Sequence, residues 1–261
     1  MKYFNKLLKL GAVSWVCIII IWEIGSKFSN PDFFPGPLRV ISGGGDLIKD
    51  GSLFQFIGIS LGRIITGWFL GNLIGIPIGL LMGRVKAVKM FVDPILNFFR
   101  FIPALAFLTL FLLWFGVGEE GKVILIMYAT TFTVMLNTEA GVSNVEKEKI
   151  RAARCLGASE FQIMFSVIIP AAIPYIFTGV RLAMSGSFGA IVGAEMLAAN
   201  KGVGYLIWTS RLYFKTEWIF IGLISLGLMG YLTDKILVTA ASLTMKKYGI
   251  VNSKDSMRRV A

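Results

Sequence analysis

Six stretches of this chain are apolar over the length a helix needs to cross a lipid bilayer: about 10–27, 56–82, 100–116, 122–140, 171–196 and 218–241. A hydrocarbon core about 30 Å thick takes roughly 20 helical residues at about 1.5 Å each. Only a helix or a closed barrel satisfies its own backbone in lipid, so runs of this length predict an all-α integral membrane protein with six transmembrane helices. Composition agrees. The chain is 56% hydrophobic and 16% charged, with a mean hydropathy of +0.74, whereas soluble domains run nearer about 45–50% apolar and about 25% charged.

The net charge of +11 does not point to nucleic acid, because the basic residues lie between apolar blocks and share no face. Their distribution does orient the chain. Lys2, Lys6 and Lys9, then Arg84, Lys86 and Lys89, then Lys147 to Arg154, then the tail from Lys246 fall on one side of the alternating spans. By the positive-inside rule that side is cytoplasmic, and both termini lie there. The first span, with its preceding lysines, could be a signal peptide. Trp22, Glu23 and Lys27 stand where a small-residue cleavage site belongs, and an uncleaved anchor is expected. The expected organisation is an anchor helix and outer loop over 1–54, a transmembrane core over 55–245 and a basic cytoplasmic tail over 246–261.

The stretch 115–125, "FGVGEEGKVIL", has the glycine and lysine spacing of a P-loop, but Val123 occupies the hydroxyl position that holds Mg²⁺. It reads instead as a tight outer turn between the third and fourth spans. The chain has no histidine, which removes the commonest general base and metal ligand. "SGSFG" lacks the spacing of a nucleophile elbow. No catalytic, cofactor-binding or metal-binding residue is expected. Cys17 and Cys155 are expected to be unpaired.

Residues 28–54 read as an outer loop around a short amphipathic helix, with prolines and a glycine triplet, and residues 197–217 as a second outer excursion. The most informative segment is inner: "EKEKIRAARCLGASEFQIMFSVIIPAAIP", from Glu146. Ile150, Ala153 and Leu156 recur at helical spacing. Gly157 suits the left-handed residue that ends a helix. Ser159 and Gln162 form a capping box that restarts one, and that second helix enters the membrane and meets Pro170. The small residues Ala152, Ala153, Gly157 and Ala158 permit close approach of another protein.

That segment resembles the signature of membrane subunits of bacterial ABC importers, E-A-A-x-x-x-G followed after nine residues by I-x-L-P. Here it reads Arg151-Ala152-Ala153, Gly157, then Val167-Ile168-Ile169-Pro170. Arg151 replaces the usual glutamate, with Glu148 and Glu160 the carboxylates nearby. "FFPGPLRV", "FRFIPALAFLTLFLLWFGVGEEGK", "LNTEAGV" and "GAEMLAANKGVGYLI" extend the resemblance to the nitrate/sulfonate/taurine-type permeases, from about residue 33 to 245. The resemblance implies a type I ABC importer permease with a cytoplasmic coupling helix. Its docking residues would be Glu148, Arg151, Ala152, Ala153, Leu156, Gly157, Ala158, Ser159 and Pro170. It further implies a cytoplasmic ATPase subunit that binds ATP and Mg, a second permease copy in a homodimer, and an extracytoplasmic solute-binding protein, in the inner membrane of a bacterium.

Gly67, Gly71, Gly75 and Gly79 recur every fourth residue in the second span. They read as a helix-packing stripe, or more sharply as a surface that slides during transport. Ionisable residues at membrane depth are costly and become functional candidates by default. Arg181 and Glu195, with Ser185, Ser187, Asn137 and Thr138 supplying hydrogen bonds, are candidates for the translocation path of an anion. Arg63 falls within a span, and Arg100 is placed near an inner end. The rival to the importer is a stand-alone carrier driven by an ion gradient, for which discontinuous helices and internal repeats are expected.

Overall fold

The computed structural model describes residues 11–247, so the leading lysines and most of the basic tail lie outside the described residues. The described chain forms α1 (Ala12–Lys27), α2 (Pro37–Lys49), α3 (Ser52–Arg84), α4 (Lys86–Phe99), a 3-10 turn (Ala104–Phe107), α5 (Leu108–Phe115), α6 (Glu119–Ser143), α7 (Lys147–Cys155), α8 (Glu160–Ala198), α9 (Val203–Leu212) and α10 (Thr216–Lys247). Among the described residues, α3, α6, α8 and α10 are each long and apolar enough to cross a membrane unaided.

The centre of the bundle is α6, with α3 along one side and α8 along another. Lipid tails are as apolar as leucine, so burying leucine against leucine gains nothing from water; close contact between helices is what remains. The glycine stripe supplies it. A methyl group on Gly67 would lie 2.7 Å from the Val123 carbonyl oxygen, on Gly75 2.8 Å from that of Thr131, and on Gly79 2.7 Å from that of Met135. The backbones therefore touch, and the lipid-facing side of α3 carries Phe69 and Leu73 instead. Gly58 and Gly62 have open space beside them.

The register of these contacts fixes topology. Moving along α3 from Gly67 to Gly83 moves along α6 from Ile126 to Val142 in the same direction, so the two helices are parallel. On the other side, Gly141 meets Tyr175 and Gly179 meets Asn137, which makes α6 and α8 antiparallel. Parallel neighbours require that the chain between Arg84 and Glu119 returns across the bundle.

It returns differently from the straight third span expected at 100–116. The arms Lys86–Phe99 and Ala104–Phe115 meet at 84°. The second arm, twelve residues long, reaches only about 20 Å, short of a hydrocarbon core of roughly 30 Å. Pro103 explains the break: it has no N–H to donate, and its ring pushes Ile102 away from helical backbone. The elbow is tied down by the Tyr128 hydroxyl, which donates to the Phe99 carbonyl at 2.9 Å.

The short amphipathic helix expected within 28–54 is α2. The glycine triplet Gly43–Gly45 lies inside α2, where a methyl on Gly44 would meet Ile221 of α10 at 2.9 Å. The glycines let α2 lie flat on α10, with Val40 and Leu47 buried beside Leu53, Leu206 and Ile221.

Candidate functional site

At one end of the bundle, α7 and α8 form a corner built from local sequence. Gly157 sits at φ 81°, a left-handed conformation that costs a residue with a Cβ. Its N–H donates to the Arg154 carbonyl at 2.9 Å, and the Ala158 N–H donates to that of Ala153 at 3.0 Å. These are the two bonds of a Schellman ending. The next helix begins at once: the Gln162 N–H donates to the Ser159 hydroxyl, and the Ser159 N–H to the Gln162 side chain. Beyond it a π-turn covers Met164–Ile168. Pro170, which cannot donate back along the helix, stands directly after this widened turn.

The corner is held from beneath and open above. Ile150, Ala153 and Ala158 pack on Val142, Val145, Ile163 and Ile168. Glu160 joins Arg154 at 2.8 Å and also pairs with Arg84 at the foot of α3. Glu148, Arg151, Ala152, Gly157 and Ser159 face outward. Leu156 is 88% exposed and Phe161 73% exposed, with Phe161 against Phe165 at 4.4 Å between ring centres. This exposed apolar group lies beside Arg154, above the packed base.

The opposite end holds a buried charge cluster. Arg63 of α3 donates from Nη1 to Glu195 Oε1 at 2.7 Å and to the Lys201 carbonyl at 2.8 Å, and from Nη2 to Glu119 Oε1 at 2.6 Å. Glu195, with its side chain fully buried, also accepts from Ser60 Oγ at 2.8 Å and from the Gly204 N–H at 2.9 Å. Gly202, at φ 121°, turns the chain tightly over that carboxylate, where any side chain would collide with it. Lys122 donates to the Val117 and Gly118 carbonyls and lies 3.6 Å from Glu119. The "GVGEEGK" lysine is thus committed inside the α5–α6 turn.

Arg181 of α8 pairs with Asp234 of α10 through two bonds, one of 2.9 Å from Nη2. The pair lines a cavity of about 290 Å³ that Ser185 also reaches. Ser187 is elsewhere, buried 3.2 Å from Thr130. Asn137 packs under Gly179, and Thr138, also buried, lies beneath Gly79. The expected path candidates therefore fall into three places: Arg181 and Ser185 on the α8–α10 face, Ser187, Asn137 and Thr138 inside the α3–α6–α8 contact, and Glu195 in the charge cluster at the end. Asp234, Glu119 and Ser60 were not among the residues singled out from sequence. The signal for Asp234 was present, since a carboxylate inside the last apolar run demands a partner. Among the described residues no cluster of metal-ligating side chains occurs.

Residues 75–243 match the family described as binding-protein-dependent transport system inner membrane component. The chain is 33% identical to the taurine transport system permease protein TauC of Escherichia coli strain K12, over 87% of this chain and 84% of that protein. It is 31% identical to the nitrate import permease protein NrtB of Synechocystis, over 90% of this chain and 88% of that one. In three dimensions it superimposes on the inward-facing MetNI methionine ABC transporter with a TM-score of 0.60 at 20% identity, covering 72% of this chain and 95% of that one. The parallel α3–α6 pair, the elbow and the α7–α8 corner thus belong to a permease subunit of a binding-protein-dependent ABC importer, a multi-pass membrane protein of the binding-protein-dependent transport family and not a stand-alone carrier.

Proposed function

We propose that this chain forms half of the membrane path of an ATP-driven importer for a small anion such as a sulfonate, taurine or nitrate. In this scheme it works as a homodimer between a cytoplasmic ATPase subunit and an extracytoplasmic solute-binding protein, in a bacterial inner membrane. ATP and Mg are bound and used by the ATPase partner, not by this chain. The α7–α8 corner faces the cytoplasm together with both termini; the gathering of Arg84, Lys89 and Arg154 at that end supports this orientation. The cargo class rests on taurine and nitrate, named for the two relatives, both of which present oxygens of an anionic group.

The observation that carries the reading is the corner. Glu160 ties it to Arg84, and Ile163 and Ile168 root it in α8, so a push on the exposed Leu156–Phe161 surface is transmitted to two spans at once. Closure of an ATPase pair against two such corners would rock the spans and open the path outward, and hydrolysis would reset them. The test is a mild-detergent pull-down of the tagged chain, followed by mass spectrometry, beside Gly157→Trp and the surface variant Leu156→Asp. Co-purification of a nucleotide-binding ATPase with the wild type, and its loss from both variants, is the expected result. Retention of the ATPase by both variants removes the docking assignment.

A further inference from the structure

Arg100 occupies the elbow between α4 and the 3-10 turn. The sequence places it near an inner end, but the structure sets it in a cavity of about 450 Å³ against Tyr128, Phe132, Thr133 and Leu136, the central part of α6. Its guanidinium lies over the Phe101 ring at 4.7 Å. Among the described residues no carboxylate lies within ion-pair distance of it. The other arginine at comparable depth is neutralised, Arg181 by Asp234, and nearer the end of the bundle Lys89 pairs with Glu139 at 2.6 Å. Lys235 rests on Tyr231, one turn along α10, at 5.3 Å.

An unneutralised guanidinium at the centre of a span is expensive unless it faces water or an anion. Arginine presents a planar fork of donors that fits an oxyanion through two bonds at once. The elbow that carries it is rigid, because Tyr128 ties it to α6 and prolines stand at 94 and 103. Thr133 adds a hydroxyl on the same wall, held by a bond of 3.3 Å to the Ala129 carbonyl. Its long bond leaves it able to turn toward a ligand.

We propose that Arg100 is the oxyanion contact of the translocation path, receiving the anionic group of the cargo within the aromatic pocket of the elbow. This rests on the anion-importer reading above and adds the residue that meets the cargo inside the membrane. Arg181, already paired, shapes the α8–α10 face instead.

The test uses the complete complex, permease with its ATPase and cargo-loaded binding protein, reconstituted in liposomes and supplied with radiolabelled taurine or nitrate. Loss of a charge-assisted contact lowers ATP-dependent uptake by Arg100→Gln roughly tenfold or more, whereas Arg100→Lys keeps most of it. The ATPase subunit recovered with each variant reports assembly. Undiminished uptake by Arg100→Gln overturns the site alone. Equal loss in Arg100→Lys and Arg100→Gln, with the ATPase subunit shed, assigns Arg100 to assembly and also overturns it. A wild-type complex that hydrolyses ATP but moves neither probe overturns the cargo class, and the oxyanion site with it.

Discussion

Arg63 and Glu195, 132 residues apart in sequence, meet at 2.7 Å with side chains 6% and 0% exposed. Glu195 closes its remaining valences on Ser60 and the Gly204 N–H, and Arg63 on Glu119 and Lys201. The cluster clamps α3, α6, α8 and α9 together at one end. Removing one partner strands a buried charge, which costs about 3–5 kcal/mol, while removing both is far milder. Glu195→Leu is therefore expected to lower the thermal midpoint of the detergent-solubilised permease sharply, and Arg63→Met with Glu195→Leu to recover much of the loss. A double variant as unstable as the sum of the singles contradicts the clamp.

The glycine stripe gives a prediction with an internal control. Gly75→Leu drives a side chain into the Thr131 carbonyl, 2.8 Å from where its Cβ would stand, whereas Gly58→Leu points into open space. Folded yield and protease resistance should collapse for the first and hold for the second. Normal transport by Gly75→Leu would falsify both the packing role and the idea that α3 and α6 work as a matched pair.

At the corner, Gly157→Ala imposes a left-handed residue with a Cβ, a local cost of about 1–2 kcal/mol. Ser159→Ala removes the cap at about 1 kcal/mol. Hydrogen exchange at the Gln162 and Ile163 amides should quicken in Ser159→Ala and stay unchanged in the middle of α6. Cargo-stimulated ATP hydrolysis should fall more in Gly157→Ala than stability does, because the transmitting geometry is lost while the bundle stays intact. Equal falls in both would assign Gly157 to folding alone.

Arg181→Ala leaves Asp234 without its partner. If the pair is structural, exchanging the charges (Arg181→Asp with Asp234→Arg) restores the uptake that either single change lowers, and uptake affinity for an anion stays put. A tenfold loss of affinity that the exchange does not repair would move Arg181 back into the path.

The parts legible in sequence were those whose signals are local or long. Four apolar runs became α3, α6, α8 and α10, because runs of that length have few alternatives in lipid. The corner was legible because Gly157, Ser159 and Gln162 specify it within a few residues. The elbow was not: an apolar run reads the same whether it is one helix or two arms, and Pro103 alone had to carry the difference. The short amphipathic helix within 28–54 was legible, but not that its triplet Gly43–Gly45 lies inside it, where contact with α10 keeps poor helix formers helical. Partnerships such as Arg181 with Asp234 join residues 53 apart, and one sequence holds no trace of which charges will meet.

The stripe on α3 carries an ambiguity that something must resolve. A glycine every four residues offers α6 the same hollow about every 6 Å, so the two helices would interlock nearly as well if one were shifted by a step. Shape alone cannot choose between those alignments. The ends can. Arg63 reaches Glu119 at the top of α6, and Lys89, just past the foot of α3, reaches Glu139 near the bottom. A shift of one step would break both. The charges at the two ends therefore act like the index pins of a ratchet, selecting one alignment from several that packing alone would accept.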